Sequence, residues 1–383
     1  MNSVKNFVCH LSPALLSGAL AIFFFTGVAG AVGIAQAQRL RELPPPPPAP
    51  KYKPKPTPTP PPPKPEDFDV LRISSNLVMV PVSVVDTQGQ PVRGLQKNDF
   101  RLEEAGRPQQ ITEIGNPEQV PLDIALLFDI SSSVSQKGFF AFQQKAAASF
   151  LKQVMKPSDN AAIFTIGEEP KLVSPLAPAA TAAAAVLKIP AATTPVPTAF
   201  YDTVSAAAKY LIANSPSRRR RVILVITDGD DNYSHIVQDL TLAEARASQK
   251  GEVTPAAARV SLQNRHHQAV LEVQRVVQQA DAAFYSINPG GPSVHLNQIS
   301  MRGEKAMESI ANATGGTAFV PDGEKDLERV FSEVAAELRG QYLLQYYSDS
   351  QLASGQFRNI NVAVPAHADV HVRARQGYYP KSK

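Results

Sequence analysis

The run Leu122-Asp-Ile-Ala-Leu-Leu-Phe128, followed at once by Asp129-Ile130-Ser131-Ser132-Ser133, decides the fold. A mostly apolar, β-type run ending in a cluster of carboxylate and hydroxyls reads as a buried parallel strand with a polar tip. A second run of this kind, Val222-Ile-Leu-Val-Ile226, ends in Thr227-Asp228-Gly229. Between them, Pro197-Thr198-Ala-Phe-Tyr-Asp202 leads into a helical pattern, with Thr198 placed like an N-cap. The tips of parallel strands meet at the carboxyl edge of the sheet, where open α/β sheets bind ligands. Asp129, Ser131, Ser133, Thr198 and Asp228 together offer carboxylates and hydroxyls, with no thiol or imidazole. Hard oxygen donors of that kind suit Mg²⁺, Mn²⁺ or Ca²⁺ rather than zinc.

Working outward, helical and strand patterns alternate. Phe139, Phe142, Ala146, Phe150, Leu151 and Val154 form one stripe at helical spacing, which Pro157 ends. Residues 161–166 read as a strand, 171–175 as a short edge strand, 179–187 and 199–213 as helices, and 282–287 as a further strand. A helix over 301–313, a strand over 318–320 and a helix over 326–338 complete the series. Such alternation implies an α/β fold with a doubly wound parallel sheet. Residues 238–280 are long for one crossover. Leu240 opens a helical pattern, Gly251 breaks it, and Thr254-Pro255 restarts it with a cap and an N1 proline. An extra helix or helical hairpin is expected there, overhanging the Asp228 tip.

The combination of Asp-x-Ser-x-Ser at Asp129, Ser131 and Ser133, a Thr before a helix at Thr198, and Thr-Asp-Gly at Asp228 resembles the metal-ion-dependent adhesion site of von Willebrand factor type A (VWFA) domains. The resemblance covers roughly residues 121–338, and the flanks are similar to the VWFA-related domain common in acidobacterial secreted proteins. It implies that the Ser and Thr hydroxyls hold the ion and that the Asp residues act directly or through water. One coordination position would stay open for an acidic group of a partner protein. It further implies a VWA/Rossmann-like domain over 120–339, with the helical insertion near 238–280.

Both ends of the chain are β-rich. Val80-Pro-Val-Ser-Val84 alternates as a half-exposed strand, Asp86-Thr-Gln-Gly89 is a turn, and short strands follow to Ile114. Residues 341–347, 356–364 and 369–375 alternate likewise. The strands of 68–119 are too few to close a sandwich, so those of 340–380 are expected to complete it. The α/β domain would then be inserted into a β-sandwich-like module built from both chain ends.

The amino-terminal stretch differs from all of this. Lys5, a long uncharged segment with an apolar core, and Ala35-Gln-Ala37 form a Sec-type leader over 1–37. An uncleaved anchor is the competing reading, because the apolar run approaches the ~20 residues a membrane helix needs. Membrane contact is expected only through that segment. Residues 38–67 carry many of the 34 prolines and read as a stiff polyproline II spacer. Cys9 lies within the leader, so the mature chain has no thiol, which excludes a disulfide framework and cysteine catalysis. The formal charge of +4 misleads. Lys5 is the only charge before Arg39, and six basic residues face Glu42 across 38–65, so the remainder carries a net −2. Nucleic-acid binding by the folded body thereby loses its electrostatic support.

Other candidate features have plainer readings. Arg218-Arg-Arg-Arg221 is expected to be a solvated loop, with phosphate or an acidic polymer as the alternative contact. His266-His267 point about 100° apart on a helix and are expected near the surface. Asp228-Gly-Asp-Asp-Asn232 is expected to form an acidic rim around one ion rather than a second calcium loop, and Asp202 to sit in a helix first turn. No G-x-S-x-G serine is present. The expected function is therefore that of an exported, non-enzymatic module. It would use a divalent cation, Mg²⁺ first and Ca²⁺ or Mn²⁺ as alternatives, to bind a protein ligand presenting an Asp or Glu carboxylate. An envelope scaffold with a purely structural metal is the alternative, and a metal-dependent hydrolase the third.

Overall fold

The described residues of the computed structural model are 77–131, 134, 140–216, 218–238, 246–247, 249–251, 253–292, 298–323, 326–349 and 355–380. The expected leader over 1–37, the linker over 38–67, the strand residues before Leu77, and Ser133 lie outside them. Among the described residues no helix is long and apolar enough to cross a membrane.

Chain order explains the architecture. The described residues open with strands β1 (Leu77–Asp86), β2 (Arg101–Glu104), β3 (Arg107–Gln109) and β4 (Ile111–Gly115). An alternating series then runs β5 (Leu122–Asp129), α1 (Phe140–Val154), β6 (Asn160–Ile166), β7 (Lys171–Ala177), α2 (Ala179–Leu187), α3 (Phe200–Asn214), β8 (Arg220–Ile226), α4 (Pro255–Gln279), β9 (Ala282–Ile287), α5 (Gln298–Thr314), β10 (Ala318–Phe319) and α6 (Leu327–Gly340). Strands again follow at the far end: β11 (Tyr342–Tyr347), β12 (Arg358–Ala363), β13 (Val370–Ala374) and β14 (Gly377–Tyr378).

The middle series forms a six-stranded sheet in the order β10-β9-β8-β5-β6-β7. All neighbours are parallel except the edge strand β7, which runs antiparallel to β6. Every residue of β5 and β8 is buried, which is why both read as mostly apolar runs. On one face, Ile124, Leu126 and Phe128 pack under α1, α2 and α6. On the other, Leu127, Ile223 and Val225 pack under α3, α4 and α5. Strand order reverses beside β5: the chain moves to β6 on one side and later to β8 on the other. That reversal opens a crevice at the carboxyl ends of β5 and β8.

The crossover from β8 to β9 is dominated by α4, a single continuous helix of 25 residues. Thr254 caps it, its side chain accepting from the Ala257 N–H at 3.2 Å, and Pro255 stands at N1. Helical residues also occur at 235–238 and 246–247.

The chain ends form two antiparallel sheets, β13-β1-β11-β4 and β14-β12-β2-β3. Each mixes strands from before and after the α/β series. Val80, Val82 and Val84 from one sheet share a core with Leu102, Ile360 and Tyr378 from the other. Buried Glu104 on β2 joins the ends, accepting from Tyr346 Oη at 2.6 Å and Ser348 Oγ at 2.8 Å. Its Oε1 lies 3.6 Å from the buried Arg358 guanidinium.

Candidate metal centre

Asp129 is the last residue of β5 and is wholly buried. One carboxylate oxygen accepts from the Ser131 N–H at 2.7 Å, an Asx turn that folds the chain back over the strand tip. The other accepts from Thr227 Oγ1 at 2.5 Å, across to the tip of β8. Thr227 Oγ1 in turn accepts from the Gly229 N–H at 3.0 Å. The two strand tips are thus tied together by side chains, and Asp228 is brought beside Asp129. Burial, and then the Asp228 charge, push the Asp129 carboxyl up to about 7. The bonds from Thr227 and Ser131 offset only part of that rise. Among the described residues no lysine, arginine or histidine forms an ion pair with either carboxylate.

Thr198 is buried at the approach to α3. The helix is capped at Ala199, one position later than the sequence suggests, and that cap makes no side-chain hydrogen bond. Thr198 is held by backbone instead. Its N–H donates to Asn232 Oδ1 at 2.9 Å, and its carbonyl accepts from the N–H groups of Asn232 and Tyr233 at 3.1 Å each. The segment following Asp228 is therefore stitched to the segment carrying Thr198. Of the expected site residues, Asp129, Ser131, Thr198 and Asp228 occupy three converging loops at one sheet edge, all buried.

The acidic stretch after Asp228 divides its labour. Asp231 Oδ2 accepts from the Tyr201 N–H at 2.8 Å and from Ser234 Oγ at 2.6 Å, so it satisfies the open amino end of α3 from 30 residues away. Burial raises its carboxyl to about 6. Asp230 lies 3.7 Å from Arg302 on α5. Asp202, in the first turn of α3, accepts from the N–H of His235 and pairs with its ring at 2.7 Å. Through these bonds the stretch braces the Asp228 loop against α3 and α5. Among the described residues no group of three or more His, Cys, Asp or Glu is arranged to hold a metal.

Two features escaped sequence reading. Gly229 has φ +74°, and an added Cβ would lie 2.8 Å from the Gly303 carbonyl oxygen on α5. A Cβ on Gly303 would lie 2.5 Å from the Gly229 backbone. The Asp228 loop therefore sits against bare helix backbone, and a glycine inside an amphipathic helix pattern was the available signal. His266 is also buried rather than at the surface, with Nδ1 3.2 Å from Tyr201 Oη, while its neighbour His267 is exposed. Burial, with Arg302 and Arg265 nearby, pulls His266 down to about 4.

Known proteins were compared with the chain by sequence and by structure. No curated protein matches it by sequence. Similar solved structures include the PilB minor pilin from Streptococcus sanguinis, at 13% identity and TM-score 0.41, covering 58% of this chain and 62% of that one. An aerotolerance-related membrane protein from Bacteroides fragilis, mutated at several positions to serine, shows 14% identity and TM-score 0.37, with 56% and 98% covered. Proximal thread matrix protein 1 from the mussel byssus, with a zinc-occupied MIDAS motif, shows 15% identity and TM-score 0.38, with 60% and 48% covered. The chain thus spans less than two thirds of the pilin and about half of the byssus protein. The family model of the von Willebrand factor type A domain matches residues 123–286, from β5 into β9, and this part of the chain is a von Willebrand factor type A domain.

Proposed function

We propose that this chain is an exported binding module whose VWFA domain grips a partner through a divalent cation. Asp129, Ser131, Ser133, Thr198 and Asp228 would hold the ion. The single observation that carries the reading is the buried pairing of Asp129 with Asp228 at the sheet edge, with no protein cation beside them among the described residues. Two carboxylates forced together in low dielectric favour a bound cation, and a hydroxyl-rich oxygen set favours a hard one. Mg²⁺ is the first choice, with Ca²⁺ or Mn²⁺ as alternatives. The ion supplies a Lewis-acidic position for a carboxylate of the partner protein. The chain's own residues orient that position: Thr227 and Ser131 fix the Asp129 carboxylate, and the Asn232–Thr198 bonds fix the loop. We read the module as non-enzymatic, holding a partner rather than turning over a substrate.

Calorimetric titration of Mg²⁺, Ca²⁺ and Mn²⁺ into metal-stripped protein, beside Asp129→Ala, tests this. Wild type should bind one ion and the variant none. Binding by the variant at wild-type strength would defeat the assignment. Retention of a captured partner after chelation, with only a lower melting temperature, would transfer support to a structural role for the metal.

A further inference from the structure

The opposite end of the central sheet holds an unexpected concentration of charge. Arg220 and Arg221 are not solvated; they are the first two residues of β8 and are 9% and 6% exposed. With Arg219 and Arg375 they line a cleft of about 50 Å³ between the amino edge of the six-stranded sheet and the β-module. That volume is roughly the room of four waters, and so of one tetrahedral oxyanion. From Arg221 to Asp228 the strand advances about 20 Å, so the cleft is separate from the metal centre.

The guanidiniums there are short of negative charge. Arg219 has a full partner in Asp123 at 2.7 Å, and Arg375 pairs with the half-exposed Asp281. Arg220 and Arg221 have no carboxylate partner among the described residues. Arg220 donates to the Leu338 carbonyl at 2.9 Å and to Gln341 Oε1 at 3.3 Å. Arg221 donates to the carbonyls of Ala280 at 2.8 Å and Ser215 at 2.7 Å. Carbonyl and amide oxygens satisfy donors without neutralising a cation. Two carboxylates act on these arginines from further off and are hydrogen-bonded or paired with other groups: Asp159, which acts on Arg220, accepts from the N–H groups of Leu122 and Lys156, and Asp123, which acts on Arg221, pairs with Arg219. Asp281 is the only carboxylate among the lining residues. In addition, the Nε–H groups of all four arginines are buried without a hydrogen-bond partner among the described residues. Burial lowers the pKa of Arg220 and Arg221, and that of Arg375 to about 10. Buried cations in proteins are normally paired, because an unpaired one carries its full desolvation penalty. An oxyanion in the cleft supplies both the missing charge and acceptors for the free N–H groups, and guanidinium is the side chain best matched to it.

We propose that this arginine cleft binds a small tetrahedral oxyanion of the phosphate type, either free or as the end group of a phosphomonoester. The site joins β8, the end of α5 and Arg375, the residue after β13, so its occupant would bridge the VWFA domain and the β-module.

The test uses the full chain in chelator, which removes any contribution of the metal centre. Inorganic phosphate, sulfate and phosphoethanolamine are titrated at constant ionic strength against a chloride control, with melting temperature and calorimetry as readouts. Phosphate at about ten times its Kd should raise the melting temperature by roughly 2–4 °C. Two variants at the cleft leave the buried arginines intact. Gln278→Glu sets a carboxylate in the lining and should weaken phosphate about tenfold or more, whereas Asp281→Ala frees Arg375 and should tighten it. Equal binding of phosphoethanolamine marks a cleft open to esters, and its exclusion marks one for the free ion; both support the proposal. No gain over chloride in wild type, or the same phosphate affinity in all three proteins, overturns it.

Discussion

Asp129 carries the electrostatic conflict of the metal centre in one side chain. It is fully buried, faces Asp228, and depends on Thr227 and Ser131 for what stabilisation it has. Replacing it by Asn keeps the shape and removes the repulsion. In chelator, Asp129→Asn should therefore be more stable than wild type, by about 1–3 kcal/mol in urea unfolding, while losing all stabilisation by divalent ions. A variant less stable than wild type in chelator would show that the carboxylate is not in conflict. His266 gives the opposite kind of signal. Its folded-state value of about 4 lies below the ordinary 6.5, so the folded protein holds it neutral. The stability this represents is complete above pH 6.5 and is lost as pH falls toward 4. The stability difference between wild type and His266→Gln should shrink across that window, at up to about 1.4 kcal/mol per pH unit. The difference between the two proteins isolates His266 from Asp231, whose raised carboxyl acts with the opposite sign. The meeting of Asp129, Ser131 and Asp228 at two strand tips was legible in the sequence because these residues directly follow two apolar runs. The sequence did not show His266, whose burial is set by Tyr201 on another helix, nor Arg220 and Arg221, whose acceptors are carbonyls from distant elements.

At the scale of elements, the Asp228 loop and α5 are locked by close backbone approach at Gly229 and Gly303. Gly303→Ala would gain about 1 kcal/mol in helix propensity. Against that, a Cβ 2.5 Å from the Gly229 backbone meets atoms that cannot rotate away. Overpacking of this kind typically costs about 1–3 kcal/mol. The net expectation is a lower melting temperature together with weaker metal binding, because the loop carrying Asp228 must move. Metal affinity at the wild-type level with the same melting temperature would show that the loop does not depend on this contact. The alternation of β5 through α6 was readable from apolar periodicity, and β7 does sit at the edge, though it runs on past Pro175 to Ala177. The cap of α3 was not readable, since Asp231 reaches it from a loop 30 residues further along the chain.

Considered as a whole, the molecule is a VWFA domain set between two halves of a β-sandwich. Alternating strands at both ends suggested that they share a sheet, although alternation cannot say which strands pair; that depends on the register seen between β1, β11 and β4. Glu104 ties the halves together, so Glu104→Gln, which removes the buried charge beside Arg358, should cost about 3 kcal/mol, seen as an earlier urea midpoint. An unchanged midpoint would show that the Glu104 charge is incidental to the join. The route of the chain through this module has a mechanical corollary. The VWFA domain is entered after β4 and left into β11, and these strands are hydrogen-bonded neighbours with Gly115 opposite Leu343 at the end nearest the domain. Both connections to the domain thus leave from one end of that pair and would be pulled together, whereas Leu77 lies opposite Tyr347 at the far end of β11, so tension between Leu77 and the domain would load the β1–β11 ladder in shear. In shear several ladder hydrogen bonds share the load at once, so the join would hold stiffly and then part abruptly.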